Sequence, residues 1–214
     1  DGATLALGNN TMTLDAASTM QSAGNISRAI TAANGANVAI TGGTYTQDVS
    51  NWCTDGFMTQ QNADGSFGIA KAIAKVGDKK YASLNEAFKA ATSGCTIEIL
   101  SDVTVDKAWD ARYTGGKFTV PVTINGNGKT IKFTASVNDN NYQAPFRFEA
   151  DATVKNLTID MSEVTDNRFR AISSKGNLTV DNSKFIGKDE SLNCRAIIFG
   201  EGAGANVGNL AISI

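Results

Sequence analysis

The chain has 214 residues, a net charge of −2 and no histidine; 42% of its residues are apolar and 19% charged. The missing histidine excludes a Ser-His-Asp or Cys-His centre and the common His-based zinc sites within this chain. The charge balance points to neither nucleic acid nor a membrane surface, and no apolar run approaches the ~20 residues of a membrane-spanning helix.

Glycine is frequent (21) and proline scarce (2), which favours many short strands joined by tight turns. Strand-like sequence at both ends, from Gly2 to Leu7 and from Asn209 to Ile214, is expected of a piece cut from a longer protein. The first landmark is Arg28-Ala29-Ile30, a phrase repeated at Arg170-Ala171-Ile172 and Arg195-Ala196-Ile197. Nine residues after Arg28 comes Asn37-Val38-Ala39-Ile40, and eight after Asn37 comes Tyr45. Further on, Asn62-Ala63-Asp64-Gly65 has hairpin-turn chemistry. Cys53, Cys95 and Cys194 have no CxxC spacing and are read as small apolar side chains.

Ser83-Leu84-Asn85-Glu86 has capping-box spacing, and Leu84, Ala87, Phe88 and Ala91 share one helical face. A short amphipathic helix over 83–93 is predicted, with Gly94 placed to stop it and a strand from Thr96 to Val105. Asp102, Asp106 and Asp110 share a face only on a helix, and neither they nor residues 137–143 match a calcium loop, so no metal or other cofactor is expected. Trp52, Phe57, Tyr81, Trp109, Tyr113 and Tyr142 include loop aromatics of the kind that stack on sugars, although packing is their commoner use.

The repeat is clearest in the second half. Arg147 leads to Asn156-Leu157-Thr158-Ile159 and then Val164. Arg170 leads to Asn177-Leu178-Thr179-Val180 and then Phe185, and Arg195 leads to Asn209-Leu210-Ala211-Ile212. The arginines are 23 and 25 residues apart, a period that means a solenoid. Leucine is too sparse for leucine-rich repeats, so the fold class is all-β, a parallel β-helix with one capping α-helix.

Two groups of outward residues are candidates for chemistry. Asp160 and Asp181 end matching strings, which would put their carboxylates about 5 Å apart, near the ~5–5.5 Å of a retaining glycosidase pair. The plainer reading is a wet face neutralised by Lys155 and Lys184. Arg147, Arg170 and Arg195 could stack into a stripe that recognises an acidic glycan, or pair with Glu149, Asp166 and Asp189 as solvated ion pairs. If the isoleucine of Arg-Ala-Ile faces inward, the arginine must sit on the turn.

The rhythm of Ala171-Ile172, then Gly176-Asn177-Leu178-Thr179-Val180, then Phe185 resembles the right-handed β-helix repeats of large secreted bacterial surface proteins and passenger domains, of the pectin-lyase-like superfamily. Tyr81 to Val105 resembles the opening of such units, with Cys95 where an aspartate is usual, and Gly42 to Ala70 resembles their ending. The resemblance implies that residues 1–72 hold the last coils and terminal hairpin of one unit, and residues 75–214 the helix-capped first coils of the next. Residues 1–46 are then expected to dock on the coil near Ile214, in the same chain or head-to-tail on another copy. It further implies a secreted or cell-surface location and a stalk or an adhesion module for polysaccharide or host glycans. The alternative is a polysaccharide lyase or glycosidase.

Overall fold

The structure, a computed structural model, describes residues 12–14, 19–22, 30–32, 37–137, 144–164, 170–187, 195–199 and 210–213. The chain divides into two compact units, Asp1–Ala72 and Ile73–Ile214.

The first unit carries four short strands, β1 (Met12–Leu14), β2 (Thr19–Ser22), β3 (Ile30–Ala32) and β4 (Asn37–Ile40). β1 pairs in parallel with β3 and β2 with β4, so this segment stacks on itself. The predicted strand at Asn37 is present; Arg28 and Ala29 lie outside the described residues. Next come β5 (Thr44–Tyr45), a 3-10 turn at Ser50–Trp52, β6 (Phe57–Gln61) and β7 (Phe67–Lys71), the strands forming an antiparallel sheet in the order β5-β7-β6. Much of the stretch that would otherwise link two stacks is thus folded. At the expected hairpin the Asn62 N–H donates to the Ser66 carbonyl at 2.8 Å and the Gly65 N–H to the Asn62 carbonyl at 3.0 Å. Gly65 takes φ +84°, which a side chain would strain. Ile40, Tyr45 and Val49 are the buried core of this unit, flanked by Trp52, Phe67 and Ile69.

The second unit opens with a hairpin, β8 (Ala74–Val76) and β9 (Lys79–Tyr81), and the helix α1 (Leu84–Lys89). Then follow β10 (Cys95–Ile99), β11 (Val103–Val105), a single turn α2 (Ala111–Thr114), β12 (Lys117–Phe118) and the long β13 (Val122–Phe133). The remaining strands are β14 (Phe146–Phe148), β15 (Ala152–Asp160), β16 (Arg170–Ser174), β17 (Leu178–Asp181), β18 (Lys184–Ile186), β19 (Arg195–Phe199) and β20 (Leu210–Ser213).

Strands of successive coils stack in parallel as three columns: β12-β14-β16-β19, then β10-β13-β15-β17-β20, then β11 with the later halves of β13 and β15 and with β18. The result is a parallel β-solenoid of about three turns. Inward positions repeat in register. Ile97, Ile124, Val154 and Val180 form one ladder, and Val103, Ile131, Ile159 and Phe185 another. Full burial of each such side chain contributes about 1.5–3 kcal/mol, and every ladder needs its neighbouring coils to be complete.

The capping helix is present. Ser83 Oγ accepts the Glu86 N–H at 3.3 Å, and Leu84, Ala87 and Phe88 are buried. Phe88 meets the rings of Trp109, Phe118 and Phe146 edge-on, closing the apolar end of the solenoid. The helix is shorter than expected. It ends at Lys89, capped by Ala90, and Gly94 belongs to the turn entering β10, where its N–H donates to the Pro121 carbonyl. The predicted strand from Thr96 is broken at the corner between β10 and β11.

The repeat alignment needs one correction. Asn177-Leu178-Thr179-Val180 leads into and occupies the column of Asp151-Ala152-Thr153-Val154, not that of Asn156 to Ile159. Leu157, Thr158 and Ile159 lie in the third column, where Phe185 is the partner of Ile159.

Candidate functional site: the outward face of the solenoid

In the long column, residues alternate between core and solvent because successive strand side chains point to opposite faces. The outward positions come into line. Thr96, Thr123, Thr153 and Thr179 are in register across four coils, followed in the fifth by Ala211. Two residues further along each strand, Glu98, Asn125, Lys155, Asp181 and Ser213 form a parallel row. The threonines suit a pleated surface, and stacked Thr pairs favour the sheet. The second row alternates in charge, and Lys75 of β8 lies 3.4 Å from Glu98.

Both corners beside this column are built from side-chain amides and a carboxylate. Before the column, Asp151 accepts the Asn177 N–H and Nδ2, each at 2.9 Å. These hydrogen bonds from the Asn177 side chain and backbone hold the Asp151 carboxyl below its ordinary range. After the column, Asn127, Asn156 and Asn182 all take positive φ, which asparagine tolerates better than most residues. Asn182 Nδ2 donates to Asn156 Oδ1 at 2.8 Å, and Asn156 Nδ2 to Asn125 Oδ1 at 3.3 Å. Asn127 Nδ2 donates to the Ile99 carbonyl at 3.1 Å.

Asp160 and Asp181 are not brought together. Asp181 is the register partner of Lys155 in the long column. Asp160 is in the third column beside Lys132 and Ile186, where its carboxylate accepts the Ser162 N–H at 2.9 Å and the Ser162 hydroxyl at 2.7 Å. Lys132 in turn donates to Glu163, and that hydrogen bond holds its ammonium above the ordinary range. The stacked carboxylate pair anticipated from matching strings is therefore not formed, because the two strings lie on different faces.

The three arginines do not form one stripe. Arg170 and Arg195 are register partners, with Arg170 at the start of β16 and Ile172 buried. Arg147 stands between Lys117 and Ser173. Its Nη2 lies 3.1 Å from Glu149, which also receives Lys117 at 3.4 Å. Arg147 thus follows the ion-pair reading, with Glu149 as partner; Asp166 and Asp189 lie outside the described residues.

Among the described residues no three His, Cys, Asp or Glu side chains gather as a metal site. Asp102 Oδ1 accepts the Thr130 N–H at 2.7 Å. Cys53 and Cys95 are free thiols, and Cys194 lies outside the described residues. Trp109 is core, its Nε1 donating to the Pro145 carbonyl at 3.0 Å, and Trp52 packs inside the first unit. The side chains of Tyr113 and Tyr142 lie outside the described residues.

The threonine row was missed by the sequence reading, although it has a signal. Cys95-Thr96-Ile97-Glu98, Val122-Thr123-Ile124-Asn125, Ala152-Thr153-Val154-Lys155 and Leu178-Thr179-Val180-Asp181 share the order apolar or Cys, Thr, apolar, polar. Anchoring on the preceding asparagine hid it.

A family profile described as "Putative pectate lyase-like adhesive domain" matches residues 75–191. The chain belongs to this family. The match to the pectate lyase-like adhesive domain begins in the capping hairpin and runs through β18, so it covers the faces described above. No curated protein and no solved structure matches the chain significantly. Among the described residues, no helix is long and apolar enough to cross a membrane.

Proposed function

We propose that this chain is a non-catalytic adhesive segment of an extracellular or cell-surface protein, and that the long outward column holds a glycan laid along the solenoid axis. Membership of the adhesive-domain family supports the adhesive role and the surface location. The observation that carries the finer reading is the threonine row, with one hydroxyl per coil at a spacing of about 4.8 Å and a charge-alternating row beside it. A periodic polymer can meet such a face repeatedly, so weak contacts add along its length.

The test is a glycan array on the full chain run beside a polysaccharide depolymerisation screen. Saturable binding without turnover is expected, weakened about tenfold by Lys155→Ala through loss of a charge-assisted hydrogen bond. Turnover that disappears in Asp181→Asn would replace adhesion with catalysis. Binding untouched by both Lys155→Ala and Thr153→Ala would remove the ligand from this face.

A further inference from the structure

The first coil of the solenoid has three strands, and its cap does not treat them alike. β10 is covered by β8, which pairs with it antiparallel. β12 is approached by the helix: at Gly115, two residues before it, a Cβ would lie 2.9 Å from the Lys89 backbone nitrogen and 3.0 Å from Phe88 Cβ. β11 pairs with β13 on one side, and among the described residues no strand pairs with its other side.

The geometry of that free edge can be read from one hydrogen bond. The Val105 carbonyl accepts the Thr134 N–H at 3.0 Å, so Val105 faces β13 with its main-chain groups. Backbone direction alternates along a strand in a parallel ladder, so the Thr104 N–H and C=O face the open edge. Beside the edge is a cavity of about 290 Å³, lined among others by Ile73, Leu84, Val103, Val105 and Trp109. From 102 to 106 the strand alternates strictly, with Asp102, Thr104 and Asp106 exposed and Val103 and Val105 half-buried.

We propose that β11 is an acceptor edge for an extended polypeptide, which adds as a strand and places apolar side chains in this cavity. Unpaired edges of this kind recruit strands through main-chain hydrogen bonds, while pockets for alternate side chains give selectivity. The same alternation defines the partner. Residues facing the cavity are apolar, and those on the outer face lie beside Asp102 and Asp106, where lysine or arginine gives favourable cross-strand pairs. The partner segment therefore reads basic, apolar, neutral, apolar, basic. This differs in ligand class and location from the glycan column.

The test uses the full chain and a fluorescein-labelled peptide carrying Lys-Val-Thr-Val-Lys, followed by anisotropy. Saturable binding is expected, weakened about tenfold when the peptide's central residue is N-methylated, because one edge hydrogen bond is lost. Thr104→Pro removes an edge N–H without touching the β13 ladder and is expected to weaken binding similarly. Asp106→Lys should weaken binding at low salt and lose that effect at high salt. No saturable binding, or equal binding of the N-methylated peptide, would overturn the proposal. The N-methylated peptide leaves the protein unchanged, so the comparison of the two peptides decides the matter even if Thr104→Pro fails to fold.

Discussion

The two units stack parallel strands by the same rule, yet they bury very different amounts of their sequence. In the first, Ile40, Tyr45 and Val49 are the buried core, and an antiparallel sheet continues from the coils. In the second, unbroken inward ladders run through the coils and are closed by an aromatic cluster around Phe88. The difference teaches that strand pairing alone does not make a solenoid robust. Stability grows with the number of complete neighbour contacts and with an end that is sealed.

The strongest way to break this contrast is Phe88→Ala, which empties the seal. A loss of about 3–5 kcal/mol in the unfolding free energy of the second unit is expected by urea titration, with hairpin signals of the first unit unchanged by NMR. Next comes Asn182→Ala, which removes the amide bond to Asn156 and leaves alanine at φ +42°; a loss of about 1–2 kcal/mol is expected. Asn182→Gly should recover part of it, since only the conformational part is relieved. Within the first unit, Tyr45→Phe deletes the hydroxyl that donates to the Gly42 carbonyl at 2.7 Å, and about 1 kcal/mol should be lost from that unit alone.

The smallest effect concerns acid. The Asp151 carboxyl is depressed in the folded state, so its contribution is present above the unfolded value of about 3.9 and is lost as pH falls through the folded value. Asp151→Asn should flatten the stability-versus-pH curve below about pH 4, measured by thermal melts in a pH series.

The solenoid and its cap were legible because short apolar alternation, a repeated phrase and a capping box each have a direct physical cause. The assignment of strings to faces was not. Asn156 and Asn177 precede nearly identical words, Leu157-Thr158-Ile159-Asp160 and Leu178-Thr179-Val180-Asp181. One asparagine is a corner residue at positive φ, and the other lies before the opposite column, held by Asp151. Locally the words mean the same thing, a strand with two inward residues. Only the stacking of whole coils decides which face each word occupies, and that information is spread over neighbouring turns. The carboxylate pair and the arginine stripe both depended on that choice.

The corner inside β13 has a further consequence. Gly126, Asn127 and Gly128 stand where the next coil has Asn156 alone, yet Asn125 pairs with Lys155 before the corner and Lys129 with Leu157 after it. Extra residues at this corner are absorbed sideways, and the stacking on either side keeps its phase. The corner is therefore a natural port for variation. A loop of new sequence grafted between Asn125 and Lys129 could diversify the rim of the solenoid from one relative to the next while the scaffold beneath stayed the same.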